Sequence, residues 1–377
     1  MHSRLGNVLH ISHTDIKYDS RILKEIKTIS EKKYRVLGIG AKLEEASKSP
    51  RLQSLNIKSF HLKCRSFKKI SKPIRHGLVL IEFAILCLPI GLKFKPKIIH
   101  CHDTIALAIG IPLKIVCGAK LVYDAHELES DRNGMSYFLG KLTYLFEKLA
   151  WVFVDGFITV SPSINKWYEY HFGKKMSIVA FNSPAINTHK KFKKNYLREK
   201  FKIPESKLIF IYNGIIGPGR GIKSLLQAFQ NEQIESHIIF LGYGEWVPAV
   251  QKAGSENSNI HYHRAVPHDQ VVAISKTADF GLCFIENVSL SDFFCLPNKL
   301  FEYVFAGLPV LASKFPDIRY LVKKHQLGYV CMNNPKSIFQ TIKKMKKIKK
   351  HKSFKELDKL SWSHQGQKIL GLYKKLS

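Results

Sequence analysis

Short apolar runs alternate with helix-length stretches along nearly the whole chain, and few folds accommodate that rhythm. Strands are predicted at 8–12, 35–40, 97–101, 120–123 and 156–160, with helices over 20–32, 77–92 and 137–153 and another between 101 and 120. A second series places strands at 208–212, 238–241, 259–262, 278–283 and 310–312, again separated by helix-length segments. Strands that recur with a helix between them pair in parallel and have both faces covered, so the expected class is α/β. At roughly 150 residues per domain, 377 residues suffice for two cores. We expect a first domain over 1–183, a polar, lysine-rich linker near 183–194, a second domain over 195–360, and a terminal helical segment over 361–377.

Charge then narrows the partners. Sixty basic against 29 acidic residues give a net charge of +31, which draws the chain toward polyanions. No acid falls between 48 and 81, where Arg51, Lys58, Lys63, Arg65, Lys68, Lys69, Lys72 and Arg75 all stand. The strongly apolar stretch 77–92 follows; shorter than the ~20 residues of a spanning helix and carrying Glu82, it is expected not to span. It suits a helix lying on an anionic membrane surface or a core helix of the first domain. A second basic run, nine lysines within 341–360, reads as a solvated helix face or a further polyanion contact. The seven cysteines are scattered without a C-x-x-C pair, so reduced thiols are expected. A strand pattern at 7–11 leaves no room for a leader ahead of it, which makes cytoplasmic residence the default expectation.

Three segments carry chemistry. In LPNKLFEYVFAGLPVLAS, 296–313, Pro297 suits a first helical turn, Gly307 the position past a helix end, and 310–312 a buried strand. Glu302 is the one acid in that apolar helix. An unpaired buried carboxylate costs several kcal/mol, which a ligand hydroxyl or a basic side chain removes. At the helix start, Asn298, Lys299 and the free N–H groups suit an anion. The second segment, YNGIIGPGRGIKSLLQAF at 212–229, places glycines at 214, 217, 219 and 221 between a strand and a helix; such a loop lets backbone approach phosphate, and Arg220 offers a fork of donors. Third, HCHD at 100–103 ends a strand, where α/β sheets place ligands. His100 and His102 share a face, but no further ligand group lies nearby in sequence, so a metal site is not expected there.

The segment PNKLFEY followed by AGLPV resembles the nucleotide-sugar site of glycosyltransferase family 4, the retaining enzymes of the GT-B fold. The resemblance implies two Rossmann-like domains facing a central cleft, with the last helix crossing back to the first domain. It implies that Glu302 accepts hydrogen bonds from the nucleotide ribose and that Gly217, Gly219, Asn298, Lys299 and Leu300 line the donor. Arg220 and Lys299 would face the diphosphate, and His102 would be the catalytic-site histidine beside the donor sugar. YDAHEL at 123–128 is similar to the segment near the acceptor, which makes Asp124, His126 and Glu127 acceptor candidates; Asp19 and Arg21, in a loop close to a family variant with Asp-Ser-Arg, are others. Two positions depart from the pattern: Phe294 stands where many members have a second glutamate contacting the sugar, and Gly214 replaces a second basic residue.

No Asp-x-Asp occurs in the chain, so Arg220, Lys299 and nearby helix starts are expected to neutralise the leaving diphosphate, with no metal or other cofactor. The expected function is transfer of a sugar from a nucleoside-diphosphate sugar to a glycan or lipid-linked acceptor at the cytoplasmic membrane face. Two alternatives stand beside it: a nucleotide-sugar epimerase of the same fold, and a basic nucleic-acid-binding protein. The latter lacks an RNP-type or helix-turn-helix signal, and no nucleic-acid partner is expected.

Overall fold

The computed structural model describes residues 5–42, 55–184, 192–345 and 354–377. Lys48 and Arg51, residues 185–191 of the expected linker and 346–353 of the lysine run lie outside the described residues. The chain divides into two compact units, one of residues 1–180 with 365–377, the other of 181–364.

In the first unit seven parallel strands form one sheet: β1 (Gly6–Ser12), β2 (Tyr34–Ala41), β3 (Ile57–Phe60), β4 (Ile98–His102), β5 (Lys120–Ala125), β6 (Gly156–Thr159) and β7 (Met176–Val179), in the order β3-β2-β1-β4-β5-β6-β7. The second unit holds β8 (Ile209–Ile215), β9 (His237–Tyr243), β10 (Ile260–Arg264), β11 (Phe280–Cys283), β12 (Val310–Ser313) and β13 (Gly328–Cys331), ordered β10-β9-β8-β11-β12-β13. Both sheets are doubly wound. Their strand order reverses beside the first strand of each unit, between β1 and β4 and between β8 and β11, and ligands bind outside the carboxyl ends of strands at such switch points.

The helices of the first unit are α1 (Ser20–Ser30), α2 (Lys72–Phe94), α3 (Asp103–Cys117), α4 (Tyr137–Ala150) and α5 (Pro162–Phe172). In the second they are α6 (Tyr196–Phe201), α7 (Ile222–Phe229), α8 (Val247–Glu256), α9 (His268–Ser275), α10 (Leu290–Phe293), α11 (Asn298–Phe305), α12 (Pro316–Lys324), α13 (Pro335–Met345) and α14 (Leu357–Leu360). The last helix, α15 (Trp362–Leu376), passes into the first unit at Gln365. There Tyr373 is buried, its hydroxyl 2.6 Å from His100 Nδ1 and its ring edge-on to Tyr34.

Ten strands lie where the sequence pattern puts them. The other three, β3, β7 and β13, are four-residue strands at sheet edges, too short and too mixed in polarity to show a period of two. Helix α2 differs more. It runs 23 residues, well beyond the expected 77–92, because Pro73 starts its first turn and the apolar pattern carries through to Phe94. By length and composition α2 is therefore long and apolar enough to cross a membrane, and 22% of its apolar window is buried in the unit. Phe83, Cys87, Gly91 and Phe94 form the inward face. Glu82 accepts the N–H groups of Lys63 (2.8 Å) and Cys64 (2.9 Å), which ties the helix to the preceding turn.

Candidate functional site

The switch point of the second sheet gathers the donor-site candidates. Tyr303 pins α11 against it: the phenol accepts the N–H of Asn213 (2.7 Å) and donates to the carbonyl of Leu282 (3.1 Å), joining the helix to β8 and β11. A Cβ at Gly281 would stand 2.2 Å from the Tyr303 ring, so only glycine permits that approach. With Leu300, Phe301 and Tyr303 fully buried, their neighbour Glu302 remains at the rim, 7% exposed. Its carboxylate lies 3.4 Å from Nε2 of His268, at the start of α9 and half exposed. Lys299 is partly exposed, its Nζ 3.8 Å above the centre of the Tyr212 ring, while Asn298 opens the helix and is exposed.

The glycine-rich loop leads from β8 into α7. Gly219 and Gly221 adopt positive φ (+75° and +69°), and a Cβ at Gly221 would press within 2.7 Å of Phe284. Here the structure alters the simple picture of a free phosphate cradle. The Gly221 N–H donates to the carboxylate of Glu286 (3.1 Å), whose own N–H donates to the carbonyl of Gly219 (2.9 Å). One loop amide is thus already occupied. Gly217 is buried, and Arg220 extends to a wide pair with Asp292, 3.7 Å apart. Part-exposed pairs of that kind contribute at most about 1 kcal/mol, so a diphosphate can displace Asp292. His268, Glu286 and Asp292 had no spacing signal; they come from loops after β10 and β11 that the fold returns to one sheet edge.

The first unit gathers a second constellation at its own switch point. His10 on β1 stands in register with His100 on β4, and the rings of His10, His100 and His102 stack at 4.4–5.2 Å. His102 is fully buried and both its nitrogens are engaged: Nε2 with His10 Nδ1 (2.9 Å) and Nδ1 with His126 Nε2 (3.2 Å). The side chain of His126, 17% exposed, carries this chain toward the surface. Asp124, completely buried, accepts two donors of Arg21 (2.9 and 3.2 Å), and Arg21 also lies 3.1 Å from Glu25. Asp19 caps α1 by accepting the N–H groups of Arg21 and Ile22, and Glu127 is exposed. Of the acceptor candidates, Asp124 and His126 therefore meet in one network, while Asp19 serves the helix start. Sequence reading missed His10 and Glu25, although an Arg21/Glu25 pair inside the apolar stripe Ile22, Ile26, Ile29 is a visible signal.

Electrostatics divide the histidines. Burial pushes His100 down to about 3 and lowers His102 and His10, so all three are neutral at pH 7. Burial alone would lower His126 as well, but the Asp103 and Asp124 carboxylates overcome it and raise that ring to about 10. Asp103 sits at φ +62°, a strained position for a non-glycine residue; its carboxylate accepts the backbone N–H of His126 at 3.3 Å and lies 3.8 Å from the ring Nδ1. Burial also raises Asp124, yet the Arg21 guanidinium holds it well below the carboxylate range; Glu25, buried beside Asp124, is pushed well above it.

The sequence offers no further ligand near His100 and His102, but the fold supplies several. His10, Glu25, His100 and His102 each present a ligand atom within 4.8 Å of the others, as do His102, Asp124 and His126. Nε2 of His10 and of His100 have no hydrogen-bond partner. Against a cation, Arg21 already lies against both carboxylates, the histidine rings stack instead of converging, and His102 has both nitrogens engaged. The set reads as a hydrogen-bonded network.

Fold and matches together define the class. The chain has the two-domain GT-B fold seen in glycosyltransferases, and its residues 223–366 match the family model described as Glucosyltransferase 3-like, C-terminal domain. It is similar to the chitobiosyldiphosphodolichol beta-mannosyltransferase of Candida albicans, 25% identical over 232 residues, 56% of this chain and 50% of that protein. The chain thus spans about half the length of that curated relative. Among solved structures, sucrose-phosphate synthase from Thermosynechococcus elongatus superposes with a TM-score of 0.77 at 13% identity, covering 98% of each chain. HepE from Anabaena, in complex with UDP and glucose, gives 0.74 at 13% identity over 98% of this chain and all of that one.

Proposed function

We propose that this chain is a retaining glycosyltransferase that moves a hexosyl or related sugar from a nucleoside-diphosphate sugar to a glycan or lipid-linked acceptor at the cytoplasmic face of a membrane. One observation carries the reading: the rim carboxylate of Glu302 stands one helical turn from the Lys299 ammonium, on a helix pinned at the switch point of a parallel sheet. A ribose has the hydroxyls to take up the carboxylate, and a diphosphate has the charge to draw Lys299 off Tyr212 and Arg220 off Asp292. The developing charge on the leaving diphosphate is then met by two fixed cations without a divalent ion. UDP in the HepE complex and the dolichyl diphosphate in the Candida relative's name support the donor and acceptor classes.

In the first unit, His102 lies inside the network and orients His126, the ring that reaches the surface. Retention rests on the family 4 resemblance and is read by NMR from the anomer first formed. Binding and hydrolysis across a panel of UDP-, GDP- and dTDP-sugars, with EDTA present, test the whole reading. Saturable binding of one donor supports it, and no binding by any donor contradicts it.

A further inference from the structure

Helix α4 turns its apolar side outward. Phe138, Leu142, Leu145, Leu149 and Val152 recur at steps of four and three, so they form one stripe along the helix and its short continuation, and each is more than half exposed. The inward face is instead made by Gly140, Glu147, Ala150 and Trp151. Helix α3 touches both α4 and α2, and its Ile115 and Val116 are exposed, as are Ile74, Ile81 and Ile85 on α2. Three neighbouring helices of one unit therefore show apolar side chains to solvent, with nothing over them among the described residues. Isolated exposed apolar residues are ordinary, whereas a patch of this breadth marks an interaction surface.

Charge identifies the occupant. Each of the three helices has a single acid, and none is offered outward: Glu147 is 1% exposed, Glu82 holds two backbone N–H groups, and Asp103 faces His126. Lys141 and Lys148 are exposed on α4, and Lys72 and Lys93 are exposed near the two ends of α2. Pairing this face with a second copy of a chain carrying +31 would set these cations against one another. A lipid leaflet rich in anionic headgroups accepts the apolar stripe and the lysines together.

We infer that the outer face of α4, continued by α3 and α2, docks on an anionic bilayer. This deepens the membrane-facing half of the proposed function by naming the surface, and rests on that reading for its purpose, not for its geometry. The full chain is floated with vesicles of phosphatidylethanolamine and phosphatidylglycerol, and with phosphatidylcholine alone. Wild type is expected to float with the anionic vesicles. Leu142→Glu combined with Leu149→Glu should lower the bound fraction about tenfold. Lys141→Glu combined with Lys148→Glu should abolish the preference for anionic lipid. Both pairs replace exposed side chains, so an unchanged melting curve certifies the fold. Wild-type-like flotation of the leucine variant overturns the inference, as does sedimentation showing a wild-type dimer that these changes dissolve while no vesicle is bound. Nucleotide binding, read by melting shift with UDP or GDP, is expected to persist in the leucine variant. Vesicle binding without nucleotide binding would sink the proposed function and leave this surface standing.

Discussion

Glu302 and His268 face each other across 3.4 Å, the carboxylate nearly buried on α11 and the imidazole half exposed at the start of α9. The arrangement answers how an acid survives in an apolar helix: it keeps one polar neighbour at the rim and one side open to a ligand. Hydrogen bonds to a charged group contribute about 1.5–3 kcal/mol, so Glu302→Ala should weaken nucleotide binding by roughly 10- to 100-fold. Isothermal titration with the preferred nucleotide checks this. His268→Ala should have a smaller effect, because the ribose replaces the imidazole as partner.

Lys299 and Arg220 are assigned to the departing diphosphate. Removing one donor aimed at developing charge costs on the order of 100-fold in turnover. Lys299→Ala and Arg220→Ala should each lower kcat by about that factor and change KM less. Single-turnover kinetics with saturating donor separate the two quantities, and wild-type turnover in both variants would remove these residues from the site.

Tyr303 is assigned to architecture. Tyr303→Phe leaves the buried N–H of Asn213 without its acceptor, at about 1–3 kcal/mol, and Gly281→Ala drives a methyl into the ring for a comparable cost. Both should lower Tm, and nucleotide should restore part of the loss. Denaturant titration with and without nucleotide reads both effects.

How much of this was legible beforehand depended on periodicity. Central strands such as β8 and β11, buried along their apolar residues, announce themselves as apolar runs, whereas edge strands such as β3 and β13 do not. At the site, Glu302 and Lys299 were visible because an acid inside an apolar helix and a cation at its start are local signals. His268, Glu286 and Asp292 were not, since only parallel sheet topology brings the segments after β10 and β11 to one edge. His10 was hidden similarly, its nearness to His100 being a matter of strand register across 90 positions.

The first unit makes a prediction about pH. The folded pKa of His126 is raised from 6.5 to about 10, so the protonated ring stabilises the fold. That contribution is fully present below about pH 6.5 and is lost as pH rises through about 10. Wild-type Tm should therefore fall across this window more steeply than that of His126→Gln. Parallel slopes from pH 6 to pH 10, measured by calorimetry, would show that Asp103 and Asp124 do not hold a charged ring.

The most direct measurement is a crystal structure with UDP or GDP bound. Ribose hydroxyls are expected within hydrogen-bond reach of Glu302 and diphosphate oxygens on Lys299 and Arg220, with Asp292 released. A nucleotide bound away from α11 and the 217–220 loop would contradict this placement.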